Sequence, residues 1–267
     1  MKLLTAPYYA LFSLEFYQQV LLSPLKKGLF YLLYLSALVM LLFSAHFAFS
    51  IMPRIDAFAE WAATELPPMT WTPEGLVMDA PSPYPMIHPE YGFLAVIDMT
   101  RPEISQEEMG DAAVFVTSRY LYMRDGNGGV RVHSLTRPAD KVNPDQLAVL
   151  VDGDLVRKIY GDLRVWIFIV PVLISFPLIL VTKLAEAAVF SLPGFFIART
   201  RRQPLEYSAV FTTACFAVTA ATLVEVRWIV PFLAEIPFGF IGSAILTTGY
   251  LFFALKKTEH PEIPPAI

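Results

Sequence analysis

Cysteine is all but absent from this chain. Its one cysteine, Cys215, falls in an apolar run, so no disulfide framework holds the fold and no CxxC or zinc-type spacing exists. Charge is scarce too: 16% of residues are charged, where soluble domains carry about 25%. A basic excess is missing, since the net charge is −4, and this argues against a nucleic-acid partner. The sequence has no P-loop, no nucleophile elbow and no GxGxxG leading into a helix. It has no internal repeat and no low-complexity tract. These absences predict a protein that is not an enzyme and that holds no cofactor or metal.

What the chain does have is apolar length. Of its 267 residues, 55% are hydrophobic, and the mean hydropathy is +0.52. The excess is gathered in runs long enough to cross a bilayer, which takes about 20 residues each. The first run covers residues 28–51 and follows Lys26 and Lys27. It is longer than a signal-peptide core and lacks a clean cleavage site, so it reads as an uncleaved anchor. Residues 1–27 form a leader whose aromatic stretch suits a headgroup-layer helix or a short helix packed on a bundle. Residues 164–183 form a second run containing Pro171 and Pro177, where kinks are expected. The third run is 207–225 and the fourth 237–255, followed by a tail at 256–267. Between the second and third, residues 184–206 are short for a span. They suit an interfacial helix, a cytoplasmic extension or a separate span.

Residues 52–163 differ in composition. Prolines and charges return, and Asp and Glu outnumber Lys and Arg. The length suits an independent small domain. A helix is expected over 54–66, then strands at 75–78, 84–88 and 92–99. The best β signal is 113–135, where AVFVTSRYLYMR and VRVHSL flank the turn DGNGG. Asn143-Pro144 marks a helix start that would carry Leu147, Leu150 and Val151. The expected fold class is a membrane α-helical protein with four transmembrane helices and an inserted small α+β extracytoplasmic domain with an antiparallel sheet.

Basic residues set the expected topology. Lys26/Lys27, Arg199/Arg201/Arg202 and Lys256/Lys257 share one face only if 184–206 does not cross. Both termini are then cytoplasmic, and the chain is a multi-pass protein of the cytoplasmic (inner) membrane.

Few residues invite chemistry. His46 lies in the first run, and Lys183 and Glu186 sit one helical turn apart at the inner end of the second. Glu225 and Arg227, with Glu235, are expected at the outer interface. Asp98 ends an apolar strand, where a catalytic acid or a turn residue fits; no histidine or second carboxylate is spaced to help it, which favours the turn. His88 and Glu90 form an H-x-E pair without further metal ligands. Ala209, Thr213, Ala217 and Ala221 form a small-residue face on the third run, and Gly239 and Ser243 another on the fourth. Such faces let helices pack closely, within the chain before any partner.

Four local patterns occur in a recognisable order. They are Phe16-Tyr17 followed by Ser23-Pro24, Pro68 followed by Gly75-Leu76-Val77, Ala95-Val96-Ile97-Asp98 followed by Thr100, and Thr117 followed by Leu121 and Arg124. Together they resemble the bacterial membrane family known as domain of unknown function 1189, sometimes labelled a maltodextrin-utilisation protein. Met99 stands where that family often has Thr, and the proline-rich lead-in is longer here. The resemblance implies an architecture and carries no catalytic residue and no agreed activity. The functional expectation is therefore a non-catalytic binding, sensing or scaffolding component of a membrane complex. Its partners would be membrane lipids and other membrane proteins or a second copy. Transport or lipid handling by the helix bundle is the alternative, and an envelope enzyme ranks last.

Overall fold

The computed structural model describes residues 3–105, 107–136, 148–199, 205–226 and 240–257. It divides into two compact units, a helical one of Met1–Ser50 with Phe168–Ile267 and a mixed one of Ile51–Ile167.

The helical unit starts with α1 (Ala6–Phe12) and α2 (Leu14–Leu21). Pro7 suits the first turn of α1, where its missing N–H has no partner to lose. Ser13 separates the two helices and caps the second, its Oγ accepting the Phe16 N–H at 3.3 Å. Ala6, Ala10, Phe16, Tyr17 and Val20 are buried in the core of this unit. The leader is therefore a packed part of the bundle.

Helix α3 (Leu25–His46) begins after Ser23-Pro24 and ends in a π turn, Phe47–Ile51. The turn has a local cause. Pro53 offers no N–H and its ring would collide with the carbonyl four residues earlier, so the helix widens just before it. The second half of α5 (Gly153–Arg199), α6 (Tyr207–Glu225) and α7 (Phe240–Lys257) complete the unit. Helix α6 is its centre, with residues 212–222 sealed on nearly every face; Phe216 stacks on Tyr31 at 4.1 Å between ring centroids.

Gly28 of α3 lies against Thr212 and Cys215, and Tyr31 meets Phe216 and Thr219. The numbers rise together, so α3 and α6 run parallel. A Cβ on Gly28 would come within 3.2 Å of the Thr212 Cα, which is why a glycine stands at this crossing.

Among the described residues three helices are long and apolar enough to cross a membrane: Leu25–Glu65, Gly153–Arg199 and Tyr207–Glu225. Helix α5 passes through Pro171, Pro177 and Pro193 as one element. The stretch after Lys183 is thus a direct extension of the second apolar run. Its residues Ala187, Phe190, Ser191, Gly194 and Ala198 are buried along one helical stripe.

In the mixed unit, α4 (Met52–Glu65) occupies the expected helical stretch. Among the described residues eight strands follow: β1 (Met69–Thr72), β2 (Gly75–Met78), β3 (Tyr84–His88), β4 (Gly92–Asp98), β5 (Val114–Thr117), β6 (Tyr120–Arg124), β7 (Val130–Ser134) and β8 (Val149–Val151). They make two sheets, ordered β2-β1-β8 and β3-β4-β5-β6-β7. This corrects the expectation of one small antiparallel sheet, because β4 and β5 pair in parallel. The stretch between these two strands is long enough for the crossover that a parallel pair needs.

Two further expectations change. The strand-like stretch at 113–124 is two strands folded back at Ser118-Arg119. Thr117 is the hinge pin, its Oγ1 accepting the Tyr120 N–H at 2.9 Å and donating to the Pro102 carbonyl at 2.8 Å. The helix expected to carry Leu150 and Val151 is instead strand β8, paired with β1 from Met69↔Val151 to Trp71↔Val149. The rest of that expected helix, at 143–147, lies outside the described residues. Pairing with β1 overrides a local helical pattern that is only a few residues long.

The expected turn at residues 125–129 is present. The Asp125 carboxylate accepts the N–H groups of Asn127 at 3.1 Å and Gly129 at 2.8 Å, and Gly128 takes φ +81°.

Candidate functional site

Lys183 is the most enclosed cation among the described residues of the helical unit, at 3% exposure. It opens the buried stripe of α5 that continues through Ala187, Phe190 and Gly194, so its stem points into the packed face. Glu186 follows one turn later on the same helix. Glu225 arrives from the last residue of α6. The Lys183 Nζ donates to Glu186 Oε2 at 2.9 Å and also to Glu225 Oε2. Both carboxyl groups therefore share one ammonium. Exposure of the side chains rises from 3% at Lys183 to 20% at Glu186 and 40% at Glu225.

From the sequence, Lys183 and Glu225 are expected at opposite interfaces. Their meeting follows from helix lengths. From Lys183 to the end of α5 the rise is about 24 Å, and the whole of α6 rises about 28 Å, at about 1.5 Å per residue. A helix that turns back after Arg199 therefore returns its far end to the level of Lys183. The missing signal was the helical continuity of 184–199, which its short apolar length disguised.

The cluster joins one ammonium to two carboxyls within an apolar bundle. One carboxylate balances the lysine, and the other is an acceptor in excess. Nearby hydroxyls are engaged elsewhere: Thr222 donates to the Val218 carbonyl at 2.9 Å, and Thr219 shares a 2.5 Å hydrogen bond with Tyr31. Such an arrangement can bind a proton or a small cation, or it can lock two helices together.

The other candidate residues have different surroundings. His46 is the half-buried last residue of α3. Asp98, at 2% exposure, closes a turn. Its Oδ1 accepts from Thr100 N–H at 3.0 Å, Thr100 Oγ1 at 2.5 Å and Ser82 Oγ at 3.2 Å, and its Oδ2 accepts from Arg101 Nε at 3.1 Å. Burial pushes this carboxyl up, but the hydrogen bonds from Thr100, Arg101 and Ser82 together outweigh it and hold it below the usual range. Both oxygens are thus committed to the turn.

His88 does not act with Glu90 as a ligand pair. Its Nδ1 accepts the backbone N–H groups of Glu90 at 3.0 Å and Tyr91 at 3.3 Å. Its ring is surrounded by Phe58, Trp61 and Tyr91, with centroids 5.7, 4.6 and 4.6 Å away. Phe58 and Tyr91 remain exposed. No motif in the sequence marks this aromatic group; its one local signal is that Phe58 and Trp61 stand one turn apart on α4.

On α6, Thr213, Ala217 and Ala221 are fully buried and Ala209 partly so. Ser243 belongs to α7. Arg227, Glu235 and Gly239 lie outside the described residues. Gly194 is a close-packing glycine that the small-residue pattern missed: a Cβ there would meet Val210 at 3.1 Å. No group of three or more His, Cys, Asp or Glu side chains that could hold a metal ion occurs among the described residues.

The model of the family described as protein of unknown function (DUF1189) matches residues 6–255. The chain belongs to this family. Searches of curated proteins and of solved structures found no match. The motif residues that suggested membership prove to be structural pins. Tyr17 donates its hydroxyl to the Ala10 carbonyl at 2.7 Å. Gly75, at φ +137°, has the Ser118 carbonyl pressed against the place a Cβ would take, and Leu76 N–H donates to that same oxygen at 2.7 Å. Asp98 and Thr117 are register partners on the parallel strands. In this member of the family, three of the four patterns converge around the β4–β5–β6 corner.

Proposed function

We propose that the protein is a non-catalytic, multi-pass component of the cytoplasmic membrane whose mixed unit lies outside and binds a partner. In this reading α3, α5, α6 and α7 are the four spans and both termini are cytoplasmic. The parallel run of α3 and α6 supports that order. Both helices travel in the same direction, as they do when α5, one continuous helix, makes a single crossing between them. Lys26 and Lys27 stand at the start of α3, and Arg199 stands just before α6, as the positive-inside rule asks.

The observation that carries partner binding is the exposed aromatic group on the mixed unit. Phe58 is 40% and Tyr91 56% exposed, and both pack on His88. Aromatic side chains fixed in place at a surface are typical anchors of protein interfaces. The test is purification of the full-length protein in mild detergent, beside the double variant Phe58→Ser/Tyr91→Ser. A companion chain or second copy should remain with the wild type and be lost from a variant that elutes and melts normally. A solitary wild-type monomer would count against the reading.

A second reading, transport or lipid handling, is favoured by the Lys183–Glu186–Glu225 cluster. Proteoliposome flux that Lys183→Ala and Glu186→Ala leave unchanged would remove it.

A further inference from the structure

We propose that Lys183, Glu186 and Glu225 form a proton-binding site between α5 and α6, with one proton held on the carboxyl pair beside a charged lysine. The inference rests on the geometry of the cluster and not on the partner-binding reading.

Two observations carry it. The lysine is sealed at 3% exposure, so water cannot take over its charge. Its Nζ is already divided between Glu186 and Glu225. Two carboxyl groups are thereby brought onto a single ammonium. Two ionised carboxylates drawn to one ammonium repel each other, and a proton on either of them removes that repulsion. One ammonium offsets one carboxylate. The proton settles the second charge without any further group entering the bundle.

No other described charge competes for this role. From α5 the facing groups are Lys183 and Glu186, and from α6 Glu225. On α3, Tyr31 is bound to Thr219, and Lys26 lines an apolar cavity with Leu180 and Leu184. On α2 and α7, Tyr17 and Tyr250 donate to the Ala10 and Leu11 carbonyls. Uptake and release of the proton would change the charge of this helix contact by one unit. The bond that forms is O–H on Glu186 or Glu225, and the proton comes from and returns to water past Glu225, the more exposed member at 40%.

Infrared spectroscopy of the full-length protein in lipid nanodiscs tests this directly. At neutral pH the wild type should show a carboxylic-acid C=O band that shifts on deuteration and fades as pH rises. Glu186→Gln should abolish or displace that band, and Glu225→Gln should do the same. Each glutamine keeps the shape of a protonated glutamate, so both variants should elute and melt like the wild type. Should one fail to fold, the other and the wild-type pH titration still decide. A wild-type spectrum at neutral pH that lacks such a band, or a band that neither variant touches, would overturn the proposal. So would stabilisation of the wild type by sodium or potassium ions in the absence of the band, which would mark a metal-cation site. Partner capture by the mixed unit is read in a separate experiment, so failure of either leaves the other standing.

Discussion

Asp98 in the mixed unit and Lys183 in the helical unit are both nearly sealed, at 2% and 3% exposure, yet they are surrounded differently. Asp98 meets donors on both oxygens, from a serine, a threonine, a backbone amide and one guanidinium. Its charge is satisfied within the short stretch from Ser82 to Arg101, and the result is a rigid turn. Lys183 meets two acceptors of opposite sign, one of them 42 residues away. Its surroundings over-compensate it. A buried charge that is saturated locally fixes a loop, whereas one that is over-compensated between helices remains able to exchange a proton.

Removing each charge in turn should separate the two cases. The largest effect is expected from Lys183→Met, which leaves two carboxyl groups facing each other. A loss of about 3 kcal/mol is expected, read as a lower melting temperature of the detergent-solubilised protein. Adding Glu186→Gln and Glu225→Gln to that variant should recover most of the loss. A single variant that melts with the wild type would erase the contrast.

Asp98→Asn should cost less, about 2 kcal/mol, because an amide keeps one acceptor and loses the guanidinium partner. Denaturant unfolding followed by tryptophan fluorescence would report it through Trp61 and Trp71. The same residue fixes the sign of an acid effect. Its folded-state carboxyl lies below the usual range, so its contribution is complete above the ordinary carboxylate pKa. That contribution fades as pH falls through the lowered value. Asp98→Asn should flatten this acid limb and leave stability near neutrality with little dependence on pH.

The smallest effect tests packing alone. Gly28→Ala places a Cβ 3.2 Å from the Thr212 Cα and should cost about 1 kcal/mol. Gly126→Ala, with nothing within 4 Å, should be neutral.

Much of this fold is legible in the sequence where a pattern is local. Helix α4, strands β2, β3 and β4, and the turn at 125–129 all follow from period and turn chemistry within a few residues. What escapes is pairing across distance. Strand β8 reads as part of a helix begun at Asn143-Pro144 because Leu150 and Val151 acquire their role only from residues 69–71. The parallel β4–β5 pair is hidden for the same reason. Lys183 and Glu225 each stand out as ionisable residues beside apolar runs, but their meeting depends on α5 running on to Arg199, which no local feature of 184–198 announces. The aromatic group at His88 is half visible, since Phe58 and Trp61 share a face of α4 whereas Tyr91 joins them only through the β3–β4 bend.

The β1–β8 pairing also bears on the order in which the chain acquires structure. Strands β5, β6 and β7 are neighbours in sequence and can fold from short loops. The smaller sheet cannot be completed until Val149–Val151 exists to lie against residues 69–71, and α5 begins at Gly153, directly after that strand. Completion of this sheet and the birth of the longest helix are therefore adjacent events during synthesis. A chain stopped before β8 would carry β1 with one open edge, and a chain extended just past it could complete the smaller sheet before most of α5 has been made.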